Sequence, residues 1–205
     1  MAGKVFVDMG VSLDGFVAGP DRGPANPMGG ASPRIHDWIF QEKAFRERLG
    51  IPGGVEGPGG PLIRHTFDRI GANVMGRNMF DEGEVAWPEE APFGCPVFVL
   101  THRPREPWVR PGGTVFHFVT DGFDSALAQA RAAAGARDVR ISGGADVVRQ
   151  ALRAGVVEEM TLHVAPAVIG EGLRLFDGFG PGELNLEQVE TMATPGVTHI
   201  TYKPR

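Results

Sequence analysis

The chain of 205 residues contains a single cysteine, Cys95, and a single tyrosine, Tyr202. One thiol excludes an intrachain disulfide and any metal centre built on several cysteines. Cys95 precedes Pro96 and an apolar run, which predicts a packing role in a reducing, cytoplasmic compartment. Positive charge is also sparse: 20 lysines and arginines face 25 acidic residues, a net of −5, with no dense basic run. Nucleic acid and anionic membrane surfaces are therefore not expected partners. No stretch approaches the uncharged length that crosses a bilayer. The N-terminus, Met1-Ala2-Gly3-Lys4-Val5-Phe6-Val7, lacks the layout of a secretory signal. The histidines at 36, 65, 102, 117, 163 and 199 show no metal-ligand spacing, so no metal site is predicted.

What abounds is glycine, with 30 residues, and proline, with 17, which predicts many tight turns. Residues 4–12 read as a first strand, 19–33 as a long loop, and 34–49 as one helix. That helix has Ile35, Trp38, Ile39, Phe45 and Leu49 on its apolar face. Residues 50–61 read as a second loop, 62–69 as a short helix and 72–75 as a buried strand. The apolar runs 96–100 and 115–119 read as central strands, and 123–134 as a helix. A strand and helix fill 138–154, ended by Gly155. A long strand covers 159–168, and 184–192 pairs with 197–203 as a hairpin across Thr194-Pro195-Gly196. Strands that alternate with helices imply parallel crossovers. The expected fold is α/β: one domain over residues 1–205, three layers α/β/α, a mixed and mainly parallel sheet, and a C-terminal antiparallel hairpin.

Three strand ends carry residue types suited to phosphate. After the strand 138–142 come Gly143 and Gly144, which let another molecule approach the backbone, and then a helix whose N-terminus favours an anion. After Val74-Met75 come Gly76, Arg77 and Asn78; after Val99-Leu100 come Thr101, His102, Arg103, Pro104 and Arg105. Ligands of open α/β sheets sit outside the carboxyl ends of the strands. Together these ends suit the two phosphates of a dinucleotide, with Thr101 and Arg103 placed for a third, 2′-phosphate. Taken singly, Arg77 and Arg103 read equally as solvated surface charges, and Gly143-Gly144 as plain turn chemistry.

Several segments, in order, resemble the dihydrofolate reductase-like superfamily, in particular its riboflavin-biosynthesis reductase branch. They are Ser12-Leu13-Asp14-Gly15-Phe16-Val17-Ala18, Val74-Met75-Gly76-Arg77, Val97-Phe98-Val99-Leu100-Thr101, Ile141-Ser142-Gly143-Gly144-Ala145 and Leu162-His163-Val164-Ala165-Pro166. Gly170-Glu171-Gly172 and Leu175-Phe176 complete the series. The resemblance implies an NADPH-dependent reductase that passes a hydride to a pterin or ribosylamino-pyrimidine, and commonly a homodimer. It implies that Gly76, Arg77, Asn78, Thr101, Arg103, Gly143, Gly144 and Ala145 contact the phosphates and ribose of NADPH. Gly10, Val17 and Ala18 match positions packed against the nicotinamide, and residues 19–33 match a mobile loop that closes over the reacting carbon.

On the substrate side, the resemblance points to one buried carboxylate, and Asp37 is the candidate, with Trp38 beside it assigned to the substrate pocket. A carboxylate among apolar neighbours suits proton exchange; Asp37 also reads as a first-turn helix residue favoured by the dipole. Asp14 reads as a turn residue that also lines the pocket. His163 stands where pterin reductases often carry a threonine that holds the substrate carboxylate; it is assigned to contact a different polar substrate and reads equally as an ordinary strand histidine, and Val148 replaces an aromatic of the pocket. Trp87, Phe93 and Trp108 are expected to pack, or to serve as lid or dimer contacts. The expected function is NADPH-dependent reduction of a small heteroaromatic or imine-type substrate. The alternatives are 5-amino-6-(5-phosphoribosylamino)uracil reduction in riboflavin biosynthesis and a nucleotide sensor without turnover. An uncovered strand of the terminal hairpin is the expected dimer edge.

Overall fold

The first apolar run, Val5-Phe6-Val7, opens strand β1 (Val5–Ser12) in the computed structural model, which describes residues 3–205. A short β2 (Phe16–Ala18) follows, then helices α1 (Ser32–Gln41), α2 (Lys43–Arg48) and α3 (Gly60–Asp68). The middle of the chain gives β3 (Ile70–Gly76), α4 (Arg77–Glu84), β4 (Pro96–Leu100), β5 (Trp108–Val109), β6 (Val115–Val119) and α5 (Phe123–Ala134). The last part gives β7 (Asp138–Gly143), α6 (Ala145–Arg153), β8 (Glu159–Ala165), β9 (Leu173–Arg174), β10 (Leu186–Thr194) and β11 (Val197–Pro204).

Nine strands form one sheet in the order β10-β11-β8-β1-β7-β3-β4-β6-β5. From β8 to β6 every pairing is parallel. The two ends are antiparallel: the β10–β11 hairpin joins β8 on one side, and β5 caps β6 on the other. The parallel strands are buried on both faces, as crossover helices require. Helices α5 and α6 cover one face, where Ala126, Ala130, Val148 and Ala151 pack on Val5, Val7, Val74 and Ile141. On the other face, Phe80 of α4 meets Val97, Val99 and Phe116, and Trp38 of α1 meets Ala44 and Ile63. The fold is thus a three-layer α/β/α arrangement with a mixed sheet.

Two glycines set how closely the layers approach. A Cβ on Gly71 in β3 would stand 2.9 Å from the Ala134 Cα and 2.7 Å from the Arg137 Cβ, so only glycine lets the end of α5 lie on the sheet there. A Cβ on Gly10 in β1 would stand 2.6 Å from His36 Nε2 and 2.8 Å from Ile35 Cγ2. Gly10 therefore lets α1 press its side chains against the central strand.

The single helix expected over 34–49 is two. Glu42 is extended (φ −75°, ψ 125°), and the backbone on either side of it bonds to Val55: Val55 N to Gln41 O at 2.8 Å and Lys43 N to Val55 O at 2.9 Å. The Glu42 carboxylate is buried and accepts the Gly59 amide at 3.1 Å. The loop 50–60 is thereby stitched into the break, and its Glu56 pairs with Lys43 and Arg64. Trp87, Phe93 and Trp108 pack around Phe80 and Phe116, with ring centroids 5.1–6.0 Å apart. Cys95 is buried, accepts a hydrogen bond from Asn73 Nδ2 at 3.1 Å, and burial pushes its thiol pKa up, so it packs rather than reacts. Among the described residues, no helix is long and apolar enough to cross a membrane.

Replacing Gly71 by alanine forces α5 off the sheet and is expected to lower stability by about 1–3 kcal/mol, the usual cost of overpacking. Urea unfolding of Gly71→Ala beside the wild type measures this; an unchanged midpoint would show that the layers yield without cost.

Candidate active site

Every parallel strand directs its carboxyl end toward the same edge of the sheet, and there the glycine-rich turns meet. Gly76 leads into α4 and Gly144 into α6, so two helix N-termini open on one cavity of about 350 Å³. Arg77 and Asn78 line it from the first turn of α4. Thr101 and Arg103 line it from beyond β4, and Gly144 and Ala145 from the start of α6. A single carboxylate arranges the cations: Asp81 accepts Arg77 Nε and Arg103 Nη2, each at 2.6 Å. Thr101 Oγ1 accepts the Arg103 amide at 3.0 Å and so fixes that turn. The sequence-predicted phosphate residues are therefore gathered in one place; Gly143, the remaining one, faces the adjoining cavity.

That second cavity is larger, about 630 Å³, and shares Arg22, Met79 and Gly144 with the first. Gly10, Val17 and Ala18 form part of its wall. The loop between β2 and α1 contributes Arg22, Pro27 and Met28, and one buried carboxylate holds this loop down. Glu82 of α4 accepts Arg22 Nε at 2.7 Å and the Met28 amide at 2.8 Å. The loop that resembles a mobile lid is thus tied to α4.

The polar side of this cavity comes from three neighbouring strands. Asp8 of β1 accepts Arg140 Nη2 of β7 at 3.2 Å, and His163 Nε2 of β8 lies 3.2 Å from its other oxygen. Burial by itself would raise the Asp8 pKa. The charge and hydrogen bond of His163, then the charges of Arg140 and Arg69, override it and hold the carboxyl well below its usual range. Ionised Asp8 only accepts, so His163 Nε2 is the donor in that pair. The other ring nitrogen, Nδ1, lies 2.7 Å from His199 Nδ1, and His199 Nε2 lies 2.8 Å from Thr194 Oγ1. The hydrogen-bonded series Asp8–His163–His199–Thr194 thus leads from the cavity to half-buried Thr194 at the end of β10. Trp38 packs against both rings, with centroids 5.0 and 4.9 Å away. His36 completes the wall where Gly10 admits it. Burial, then the charges of His163 and Arg140, lowers its pKa to about 4, and burial likewise lowers that of His199 to about 4.

Two of the sequence-predicted substrate residues lie elsewhere. Asp37 is exposed and lines a separate surface cleft with Pro33, Gln41 and Pro195. Successive helical residues differ by about 100°, so with His36 facing the large cavity Asp37 is turned away from it. The carboxylate beside the histidines on the wall of the large cavity is Asp8, not Asp37. Asp14 is a structural tie: it accepts Ser12 Oγ at 2.6 Å and the amides of Ile169 and Gly170 at 3.1 and 2.8 Å. The Ser12 bond, with those amides, lowers its pKa to about 2. It does not line the cavity. Trp38 and His163 do. Val148 is fully buried in the α6 core, away from the cavity lining. Sequence reasoning passed over Asp8, Arg140, His36, Arg22 and Glu82. The first two carry a legible signal, a charge in the middle of a buried strand (Val7-Asp8-Met9 and Val139-Arg140-Ile141), because such charges persist only when paired.

The model of the RibD C-terminal domain family matches residues 3–200. No curated protein matches the chain. Among solved structures, a putative riboflavin biosynthesis protein from Shewanella sp. PV-4 is similar, at 23% identity and a TM-score of 0.67, over 100% of this chain and 99% of that one. A dihydrofolate reductase from Enterococcus faecalis, complexed with NADP(H), is similar at 16% identity and a TM-score of 0.57, over 100% and 98%. The Thermotoga maritima diaminohydroxyphosphoribosylaminopyrimidine deaminase/5-amino-6-(5-phosphoribosylamino)uracil reductase aligns at 14% identity and a TM-score of 0.60. This chain is covered fully there, but spans only 57% of that longer protein. These likenesses show the fold, and the match along nearly the whole sequence shows the lineage: the chain belongs to the RibD C-terminal domain family.

Proposed function

We propose that the chain is an NADPH-dependent reductase that delivers a hydride to a small heteroaromatic or imine-type substrate. The observation that carries this reading is the join between the two cavities at Gly143-Gly144: a cationic, phosphate-suited chamber opens onto a larger one with a polar, proton-bearing wall. The NADP(H) complexed with the E. faecalis dihydrofolate reductase supports the choice of cofactor.

The residues of the smaller cavity fit a dinucleotide bearing a 2′-phosphate. Arg77 and the two helix N-termini would hold the pyrophosphate, and Thr101 with Arg103 the 2′-phosphate. Asp81 orients both guanidiniums by one edge and leaves their remaining N–H groups for the ligand. When bound, NADPH supplies the hydride. Reduction of a C=N bond also needs a proton on nitrogen, and the His163 Nε2 proton shared with Asp8 stands on the cavity wall to provide it. His199 and Thr194 stand behind His163 to return a proton from the surface, because each imidazole accepts at one nitrogen as it releases from the other. The latched loop excludes water from the reacting atoms. The reading includes a homodimer across β10, which lies at the edge of the sheet with most of its side chains exposed.

Three outcomes are expected. Arg103→Ala should weaken NADPH roughly 10- to 100-fold, the worth of a charge-assisted bond, and leave NADH affinity nearly unchanged, as read by nucleotide fluorescence titration. Equal losses for both would remove the 2′-phosphate role. Asp8→Asn should slow single-turnover NADPH oxidation by about 100-fold or more while nucleotide affinity is retained, the range of lost proton transfer. The third concerns acid stability. His36 and His199 have folded pKa values of about 4 against 6.5 unfolded, so between these limits the unfolded chain binds more protons. Their contribution is complete above pH 6.5 and falls away as the pH drops toward 4. Asp8 and Asp14, both lowered from 3.8, add to the fall only below about pH 5. Thermal melts should therefore show a falling Tm from pH 6.5 to 4, and His199→Asn should flatten it; a flat wild-type curve would contradict neutral, buried rings.

A further inference from the structure

Arg22 is the one cation that lines both cavities. It comes from the loop between β2 and α1, and only the fold brings it to the glycine turns of β3 and β7. Its Nε donates to buried Glu82 at 2.7 Å. Among the described residues, Nη1 and Nη2 have no partner. Nη1 stands over the start of α6, 3.7 Å from the place a Cβ would take on Gly144. The side chain is only 21% exposed, so its unbonded edge is turned into the cavities rather than to bulk water.

A guanidinium held through Nε keeps all its Nη N–H groups for a second acceptor, and its planar fork matches a phosphate. Glu82 fixes the long side chain in advance, so little rotamer freedom is lost when an anion arrives. Asp81 does the same for Arg77 and Arg103. Of the groups lining the smaller cavity, Arg22, Arg77 and Arg103 are cationic, while its one acid, Asp146, is 79% exposed and paired with Arg149. The position of Arg22 singles out one phosphate. A dinucleotide with its 2′-phosphate at Arg103 and its nicotinamide in the larger cavity crosses between the chambers at Gly144, beside Arg22. The phosphate that bears the nicotinamide riboside is the one at that crossing.

We infer that Arg22 is a cofactor-binding residue supplied by the loop: its Nη groups hold the nicotinamide-side phosphate of the dinucleotide while Nε stays on Glu82. This rests on the reductase reading, because it assigns a further ligand to the nucleotide of that reading. Arg22 and Arg103 then have separate tasks. Arg103 tells NADPH from NADH, whereas Arg22 serves both alike, since both carry the phosphate it meets. The bound nucleotide also becomes a second anchor for residues 19–33, beside Glu82, so cofactor binding steadies the loop over the larger cavity.

Calorimetric titration of the full chain with NADPH, NADH and adenosine 2′,5′-bisphosphate tests this without turnover. Arg22→Gln is expected to weaken NADPH and NADH by the same factor, about tenfold or more, the worth of a charge-assisted bond. Adenosine 2′,5′-bisphosphate, which lacks the nicotinamide-side phosphate, is expected to bind wild type and variant equally. Glu82→Gln separates this role from the tie to α4, because it weakens the tie and keeps the guanidinium; it is expected to lose clearly less affinity than Arg22→Gln. In hydrogen exchange, saturating NADPH should slow residues 19–33 in the wild type and not in Arg22→Gln. Unchanged dinucleotide affinity in Arg22→Gln, a loss confined to NADPH, an equal loss for the bisphosphate, or a Glu82→Gln variant as weak as Arg22→Gln would each overturn the inference while the reductase reading stands. A wild type that binds neither dinucleotide would overturn the reductase reading itself, and the role of Arg22 with it.

Discussion

A charge buried in the central strand governs the arrangement of this molecule. Asp8 lies on β1, between β7 and β8, and each neighbour supplies one partner: Arg140 on one side and His163 on the other. The parallel register sets Phe6 against Arg140 and Gly10 against His163, so both partners reach the same carboxylate from adjacent strands. Removing one member of such a set leaves an uncompensated ion, at a typical cost of about 3–5 kcal/mol. The order β8-β1-β7 is therefore an electrostatic requirement as well as a hydrophobic one. His163 carries the constraint outward, because its second nitrogen meets His199 of β11, and the antiparallel hairpin is joined to the site through a ring.

The two chambers divide the chemistry. The smaller is built from backbone turns and guanidiniums, features that suit phosphate whatever is attached to it. The larger is built from side chains of α1, α2 and the segments around them, where identity matters more than type. The fold itself is shared with a putative riboflavin biosynthesis protein, a dihydrofolate reductase and a bifunctional deaminase/reductase at 14–23% identity, so the fold alone does not fix what the second chamber accepts.

The legible parts of the chain are those in which local chemistry and tertiary need agree. Residues 96–100, 115–119 and 123–134 take the predicted form and bounds, since an apolar run flanked by turns has few other places in an α/β fold. The Gly143-Gly144 and Gly76-Arg77 junctions were equally readable, because a glycine at the carboxyl end of a strand has a local purpose. The single helix predicted over 34–49 breaks at Glu42 because of Val55 and Gly59, which lie in a loop with no periodicity. Asp37 answers to the single carboxylate that the family resemblance implies, but the phase of α1 turns its neighbour His36, not Asp37, toward the large cavity. The latch between Arg22 and Glu82 joins residues 60 positions apart, and nothing local in either segment announces it.

Helix α4 is only eight residues long, about 12 Å, and touches both chambers. Arg77 in its first turn faces the phosphate-suited chamber, and Glu82 in its last turn fastens the loop over the other. A rod this short cannot bend between those points, so a tilt that frees the loop also shifts the guanidinium. Occupancy of one chamber and closure of the other are then linked through a common lever. Linkage of this kind is reciprocal: a ligand held at Arg77 favours the latched loop by the same factor as the latched loop favours that ligand.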